Sequence, residues 1–265
     1  MAQTLQIIIS GGGIGGLAAA MVLAQDGHRV TVLEQAPAFG EIGAGIQLGP
    51  NIFRMFHYLG LTEAVNRVAF FPPGLGMNDV RTGEKVVRVS LGDTARATYG
   101  FPYGVIYRAD LHQVFLDACK AQPNITLRVN ARVESFEQSA GGVKVRLADG
   151  EVVEGSALIG ADGMWSRIRE VVVGDGKPRV SGHIAYRAVL KRDEVPAHLW
   201  SDDVLLWGGE KKPISCITHC DVESFLIWSR CFTATNMTRA GTARRYRQSC
   251  SSPRHICCCE TPRPD

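Results

Sequence analysis

Gly11, Gly13 and Gly16 stand in G-x-G-x-x-G spacing, directly after the run Leu5-Gln6-Ile7-Ile8-Ile9 and at the head of an Ala- and Leu-rich stretch. Glycines so placed let the chain turn tightly, bring backbone against a diphosphate and pack a helix on a strand. Helix N-terminal N–H groups are then aimed at the phosphates. Glu34 ends the next strand-like run, 23 positions after Gly11, where a carboxylate can accept hydrogen bonds from ribose hydroxyls. The two features together predict a dinucleotide site. A carboxylate repels a 2′-phosphate, so the nucleotide is NAD-like or FAD-like. The fingerprint does not choose between them, and a flexible glycine-rich turn is the plain alternative.

These residues need a βαβ unit to hold them, and the sequence supplies one. The run ending at Ile9 reads as a buried parallel strand, Ile14 to Ala24 as a helix ending near Asp26-Gly27, and Arg29 to Leu33 as a second strand. Two amphipathic helical stretches follow Pro50, then the breaker Phe71-Pro72-Pro73-Gly74. Residues 76–90 alternate about Thr82-Gly83 as an antiparallel hairpin, and Leu111 to Ala121 is helical. Thr126 to Val133, Gly142 to Leu147 and Glu151 to Val153 read as strands. Ser156 to Gly160 reads as a parallel strand followed by a helix from Trp165 to Val172.

The 265 residues, 45% apolar and 21% charged, have the composition of one or two globular domains. A net charge of +3 does not suggest a polyanion partner, so nucleic acid is not expected. Ile7 to Ala24 carries no charge, but its glycines disfavour a membrane helix and no Lys or Arg precedes it to make a signal n-region. The expectation is a cytoplasmic protein without a membrane partner.

Three further segments favour a flavin. Ala161-Asp162-Gly163-Met164-Trp165-Ser166-Arg167-Ile168-Arg169 follows a parallel strand and enters a helix, the place where ligands sit in open α/β sheets. Ile106 to His112 (IYRADLH) and Glu41 to Asn51 (EIGAGIQLGPN) complete the set. In this order the segments resemble those of the FAD-dependent aromatic hydroxylases, closest to the 3-hydroxybenzoate 6-hydroxylases and salicylate hydroxylases. The resemblance covers residues 1–212, through GGGIGGLAAA, LEQAPAFGEIGAGIQLGPN, YRADLH, SALIGADGMWSRIRE and VVGDGKPRVSGH.

The resemblance implies an α/β fold, with a Rossmann-like FAD-binding domain of the glutathione-reductase type and an interrupted, incomplete β-rich substrate domain. It places FAD-binding parts at 1–71 and 101–175, a substrate-domain hairpin at 72–100 and a truncated substrate domain at 176–212. It implies FAD as cofactor and NADH as co-substrate. The family uses them with O₂ to hydroxylate a small phenolic acid, such as 3-hydroxybenzoate (to gentisate) or salicylate. Asp162 would contact the flavin nucleotide, and the Arg108 fork would hold the diphosphate. Gly45, Ile46 and Gln47 would run along the flavin ring edge, and the Val133 backbone would touch the adenine. With Gly11, Gly13, Ile14, Gly15, Gly16, Glu34 and Gln35 these form the candidate cofactor set, and no metal is expected. The plain alternatives are a helix cap for Asp162, a surface ion pair for Arg108 and an ordinary turn at Gly43 and Gly45. His183 and Tyr186, on a predicted substrate-domain strand, read as structural, and no catalytic residue is named. An NAD-dependent dehydrogenase and a non-catalytic nucleotide-binding remnant are the competing functions.

Residues 213–265 match nothing in the family. Seven of the eight cysteines lie there, and no lysine follows Lys212 although seven arginines do. Cys250, Cys257, Cys258 and Cys259 lack the C-x-x-C spacing of a zinc site. Written as plausible codons and read one base later, Ile214 to Met237 becomes a string opening HLVHYPLRRGELF, which looks like the family's next strand. The expectation is that one base was lost near the Pro213 codon, that the remainder is an unpacked out-of-frame tail, and that this chain does not hydroxylate. Resequencing should then reveal a single-base deletion there; an intact frame in independent isolates would overturn this.

Overall fold

The computed structural model describes residues 3–40, 43, 45–179, 183–197, 200–208, 214–219 and 225–233. Its contacts divide into two units. Residues 1–42, 59–61 and 109–179 make the first, and 43–58, 62–108 and 180–265 the second. The residues 43–58, 62–71 and 101–108, which the sequence boundaries put in the FAD-binding parts, thus cluster with the β-rich unit.

The first unit is built on a four-stranded parallel sheet. Its members are β1 (Gln6–Ser10), β2 (Arg29–Leu33), β8 (Ile125–Arg128) and β12 (Ala157–Gly160), in the order β12-β1-β2-β8. β1 and β2 are buried along nearly their whole length, which is why they read as unbroken apolar runs and not as alternating ones. Between them α1 (Ile14–Gln25) buries Gly16, Leu17, Ala20, Met21 and Ala24, one stripe at helical spacing. It stops at Gly27, whose φ of +85° suits glycine. The other helices are α5 (Arg108–Lys120), which opens at the unit boundary, and α6 (Arg167–Val172).

A three-stranded antiparallel sheet, in the order β11-β10-β9, completes this unit: β9 (Val133–Ser139), β10 (Gly142–Leu147) and β11 (Val152–Gly155). Val143, Val145 and Leu147 alternate inward along β10 and join Ile8, Leu33, Ala131, Val133 and Ile168 in one buried cluster.

The predicted strand Thr126 to Val133 is two strands. β8 ends at Arg128, Asn130 takes φ +53° and β9 begins at Val133. Asn130 donates its N–H to the Ala36 carbonyl and Ala131 to that of Glu34, so the chain breaks to dock on the end of β2. Asparagine tolerates this left-handed geometry better than most residues. The run of strand formers hid the break.

The second unit holds β3 (Gly45–Leu48), β4 (Ala69–Phe70) and β7 (Gly104–Tyr107) as an antiparallel sheet in the order β3-β7-β4. With them go α2 (Pro50–Tyr58), α3 (Thr62–Asn66) and α4 (Gly92–Tyr99), the last unforeseen. The predicted hairpin is present as β5 (Gly74–Asp79) and β6 (Lys85–Ser90). It joins β13 (His183–Lys191), β14 (Val204–Gly208), β15 (Ile214–His219) and β16 (Phe225–Thr233) in a six-stranded sheet, in the order β13-β16-β15-β14-β5-β6. Only the β14–β5 pairing in it is parallel.

Within the stretch from residue 213 expected to be an unpacked tail, Ile214–His219 and Phe225–Thr233 form β15 and β16, and the other residues from 213 onward lie outside the described ones. β15 pairs with β14 and β16, and β16 pairs with β13, where His183 stands opposite Thr233 and Tyr186 opposite Arg230. Both stretches are rich in β-branched and aromatic residues, which favour a pleated ladder whatever their coding history. Cys250, Cys257, Cys258 and Cys259 lie outside the described residues.

Arg88 of β6 makes a two-pronged ion pair with Asp203, with bonds of 2.6 and 2.8 Å, and its guanidinium fills the space over Gly74. The guanidinium holds the Asp203 carboxyl below the usual carboxylate range. Its contribution is therefore present above the unfolded carboxylate's pKa of about 3.9 and is lost as pH falls through the lower folded value.

Leu147→Ala, at a side chain only 1% exposed, should cost about 3 kcal/mol in urea unfolding. Val152→Ala, at an exposed position of the same sheet, should stay within about 0.5 kcal/mol.

Candidate functional site

The turn from β1 into α1 is shaped by what leaves no room for side chains. Gly11 takes φ +109°, and a Cβ on it would stand 2.2 Å from the Ala161 carbonyl oxygen, just past β12. A Cβ on Gly16 would stand 2.0 Å from the Gly11 carbonyl oxygen. The first and third fingerprint glycines are thus required by the protein's own packing. Gly15 differs: a Cβ there meets nothing within 4 Å, and the residue is exposed. Ile14, half-buried, is the first residue of α1, and Gly13 is its N-cap, with no side chain to satisfy the free N–H groups. A helix N-terminus of this kind, with room at the Gly15 Cβ position, suits an anion held by backbone.

Glu34 sits at the end of β2, beside this turn. Its Oε2 accepts the Gly12 N–H at 2.7 Å and its Oε1 accepts the Ala36 N–H at 2.8 Å. A carboxylate oxygen accepts more than one hydrogen bond, so capacity remains for ribose hydroxyls. Glu34 therefore has a job that the sequence reading did not foresee: it braces the glycine turn. Gln35 is exposed beside it. Val133 points its side chain into the buried cluster, which leaves only its backbone for the contact expected of it.

Asp162 has the role of the plain alternative. Its carboxylate accepts the Ser166 hydroxyl and the N–H groups of Arg167 and Ile168, at 2.9 and 3.4 Å, so it caps the first turn of α6. Ser166 accepts from the Arg169 N–H as the cap residue proper. Gly163, at φ +77°, carries the chain between the two. Any contact from Asp162 to a nucleotide would add to this capping.

Sequence reasoning missed His112. It is 2% exposed, lies on the buried face of α5 with Leu111, Phe115, Leu116 and Cys119, and its Nε2 is 2.8 Å from the Gly12 carbonyl oxygen. Cys119, two turns on, donates its Sγ–H to the Leu17 carbonyl at 3.4 Å, and burial pushes this thiol up to about 12. A lone imidazole on an apolar helical face was the available signal, but periodicity does not say which loop that face meets.

The remaining candidates belong to the second unit. Gly45, Ile46 and Gln47 lie on β3, paired with Tyr107, Ile106 and Val105 of β7. Gln47 Oε1 accepts the Tyr103 hydroxyl at 2.6 Å. The stem of Arg108 crosses Gly43, where a Cβ would come within 2.9 Å of the Arg108 Cβ. Gly43 and β3 are therefore assembled with the Arg108 segment, although about 60 residues separate them in sequence. Among the described residues no group of three or more His, Cys, Asp and Glu could hold a metal, and no helix is long and apolar enough to cross a membrane.

The family model described as FAD binding domain matches residues 4–190. Over 204 residues the chain is 42% identical to 3-hydroxybenzoate 6-hydroxylase 1 of Aquipseudomonas alcaligenes, covering 77% of this chain and 52% of that protein. Over 212 residues it is 35% identical to 6-hydroxynicotinate 3-monooxygenase of Pseudomonas fluorescens, covering 77% and 54%. A solved structure of Klebsiella pneumoniae HpxO complexed with FAD and uric acid superposes with a TM-score of 0.77 at 25% identity, covering 93% of this chain and 61% of that one. The chain spans about half the length of the curated relatives it matches.

The two kinds of glycine can be separated by experiment. Gly16→Ala should lower stability without any ligand, because its Cβ would collide with backbone. Gly15→Ala, in a helix and with room, should raise stability of the free protein by up to about 1 kcal/mol. It should nevertheless weaken dinucleotide binding if the ligand presses on that backbone. Thermal melts with and without FAD read both effects.

Proposed function

Because this chain belongs to the FAD binding domain family, we propose that it is one of the FAD-dependent aromatic hydroxylases and that its first unit holds the ADP half of FAD. We further propose that the activity of its family is NADH- and O₂-dependent hydroxylation of a small phenolic acid, and that this chain by itself takes up FAD without hydroxylating. The observation that carries this reading is the Gly11–Gly16 turn braced on Glu34, with no side-chain cap on α1 and room at the Gly15 Cβ position. Such a turn fits a diphosphate on the helix N-terminus and a ribose on the carboxylate.

FAD, when bound, supplies the redox and oxygen-transfer chemistry. The first unit's part is to bind and orient it. Backbone N–H groups at the start of α1 would take the diphosphate, Glu34 would accept from the ribose hydroxyls, and the Val133 backbone would contact the adenine. Arg108 remains a proposed diphosphate contact, and Gly45, Ile46 and Gln47 remain proposed contacts to the flavin ring edge. Asp162 remains a proposed nucleotide contact in addition to its capping.

The substrate is proposed as 3-hydroxybenzoate, giving gentisate, or salicylate. The relatives named above support the class: one is a hydroxylase of 3-hydroxybenzoate and another a monooxygenase of 6-hydroxynicotinate, both small aromatic compounds. A cytoplasmic location accords with NADH as reductant.

The purified protein should be yellow and should release FAD on denaturation at close to one per chain. NADH consumption should stay at its basal rate on adding 3-hydroxybenzoate or salicylate; a rise would overturn the expectation that this chain does not hydroxylate. Colourless protein that instead binds NAD tightly would overturn the reading in favour of a dehydrogenase. FAD uptake without any NADH consumption would reduce it to a nucleotide-binding remnant.

A further inference from the structure

We propose that His112 is a positioning residue for the diphosphate: by holding the Gly12 carbonyl inside the protein, it turns the Gly13 N–H outward as an anion donor. The proposal rests on the reading of this turn as an FAD site and assigns work to a residue outside that reading.

A carbonyl oxygen only accepts, so the 2.8 Å contact means that His112 Nε2 carries the hydrogen and donates. Burying an imidazole at 2% exposure on an apolar helix face is costly unless its polar atoms are satisfied, and this bond satisfies one of them. Its geometric effect follows from the peptide bond. The Gly12 C=O and the Gly13 N–H belong to one planar trans peptide and point in opposite directions, and no cis peptide occurs among the described residues. With the oxygen drawn to His112, the hydrogen of Gly13 faces the other way.

The preceding peptide is held as well. The Gly12 N–H is bound to Glu34 Oε2 at 2.7 Å, and the Gly11 C=O occupies the space that a side chain on Gly16 would fill. Two successive peptide planes of the turn are thereby fixed, one by Glu34 and one by His112. Glycine lacks the steric barriers that hold other residues to one conformation. Without His112 the Gly12–Gly13 peptide could therefore flip and set a carbonyl dipole against the anion. The imidazole supplies the restraint that glycine cannot.

The test compares wild type with His112→Leu, His112→Gln and Leu116→Ala. Glutamine can place an amide N–H near the position of Nε2–H, whereas leucine cannot. Leu116→Ala, on the same buried face of α5, weakens packing but removes no hydrogen-bonding group. FAD affinity is read by flavin fluorescence, loop motion by hydrogen exchange at the Gly12 amide, and the tautomer by imidazole nitrogen NMR of the ligand-free protein.

His112→Leu should weaken FAD binding by about tenfold or more and speed exchange at Gly12, and His112→Gln should recover most of both. Leu116→Ala should lower the melting temperature yet leave FAD affinity within about threefold. Wild-type affinity in His112→Leu, no recovery in His112→Gln, or an Nδ1–H tautomer would each overturn the proposal alone. A wild type with the Nε2–H tautomer and a protected turn that takes up no FAD would overturn the FAD reading and this proposal with it. Should His112→Leu fail to fold, the wild-type tautomer and the His112→Gln affinity still decide.

Discussion

The first unit depends on one steric constraint: the chain leaves β1 and enters α1 through a space already occupied by backbone. The Ala161 carbonyl stands where a Gly11 side chain would be, and the Gly11 carbonyl stands where a Gly16 side chain would be. Parallel strands β1 and β12 lie side by side, Ser10 opposite Gly160, so their C-terminal ends crowd the same spot. Glycine resolves the crowding at the cost of a flexible turn. The unit then recovers rigidity by other means, through Glu34 on the Gly12 N–H, His112 on the Gly12 carbonyl, and the Leu33 carbonyl accepting the Gly11 N–H.

This arrangement clarifies what family-associated residues do before any ligand arrives. Glu34 braces the turn, Asp162 caps α6, and the Arg108 stem lies over Gly43. Each has a structural job in the free protein and a proposed one toward FAD. The two are compatible because carboxylate oxygens and guanidinium groups can serve several partners at once. Substituting such residues therefore mixes stability with binding, and Gly15, which has open space around it, is the cleaner probe of contact.

Much of the fold was legible in the residues. The apolar run of β1, the helical stripe of α1 and the Thr82-Gly83 hairpin are local patterns with few alternatives, and each element lies within a few residues of its predicted bounds. The break at Asn130 was not legible, because strand formers flank it and its cause is docking on Ala36 and Glu34. α4 was missed for a similar reason, since Gly92–Tyr99 buries little apolar surface: Ala95 is its only buried residue.

By itself the sequence determined the glycine turn, the acidic end of β2 and the α/β alternation. These are consequences of chain-local chemistry: which backbone angles a residue permits, and which face its neighbours bury. Tertiary structure alone decided that β15 and β16 extend a sheet and that an imidazole about 100 residues from Gly12 closes on its carbonyl. Those outcomes need two distant segments to meet. Burial then forces every polar group at the meeting point to find a partner, and no spacing along a single chain names that partner in advance.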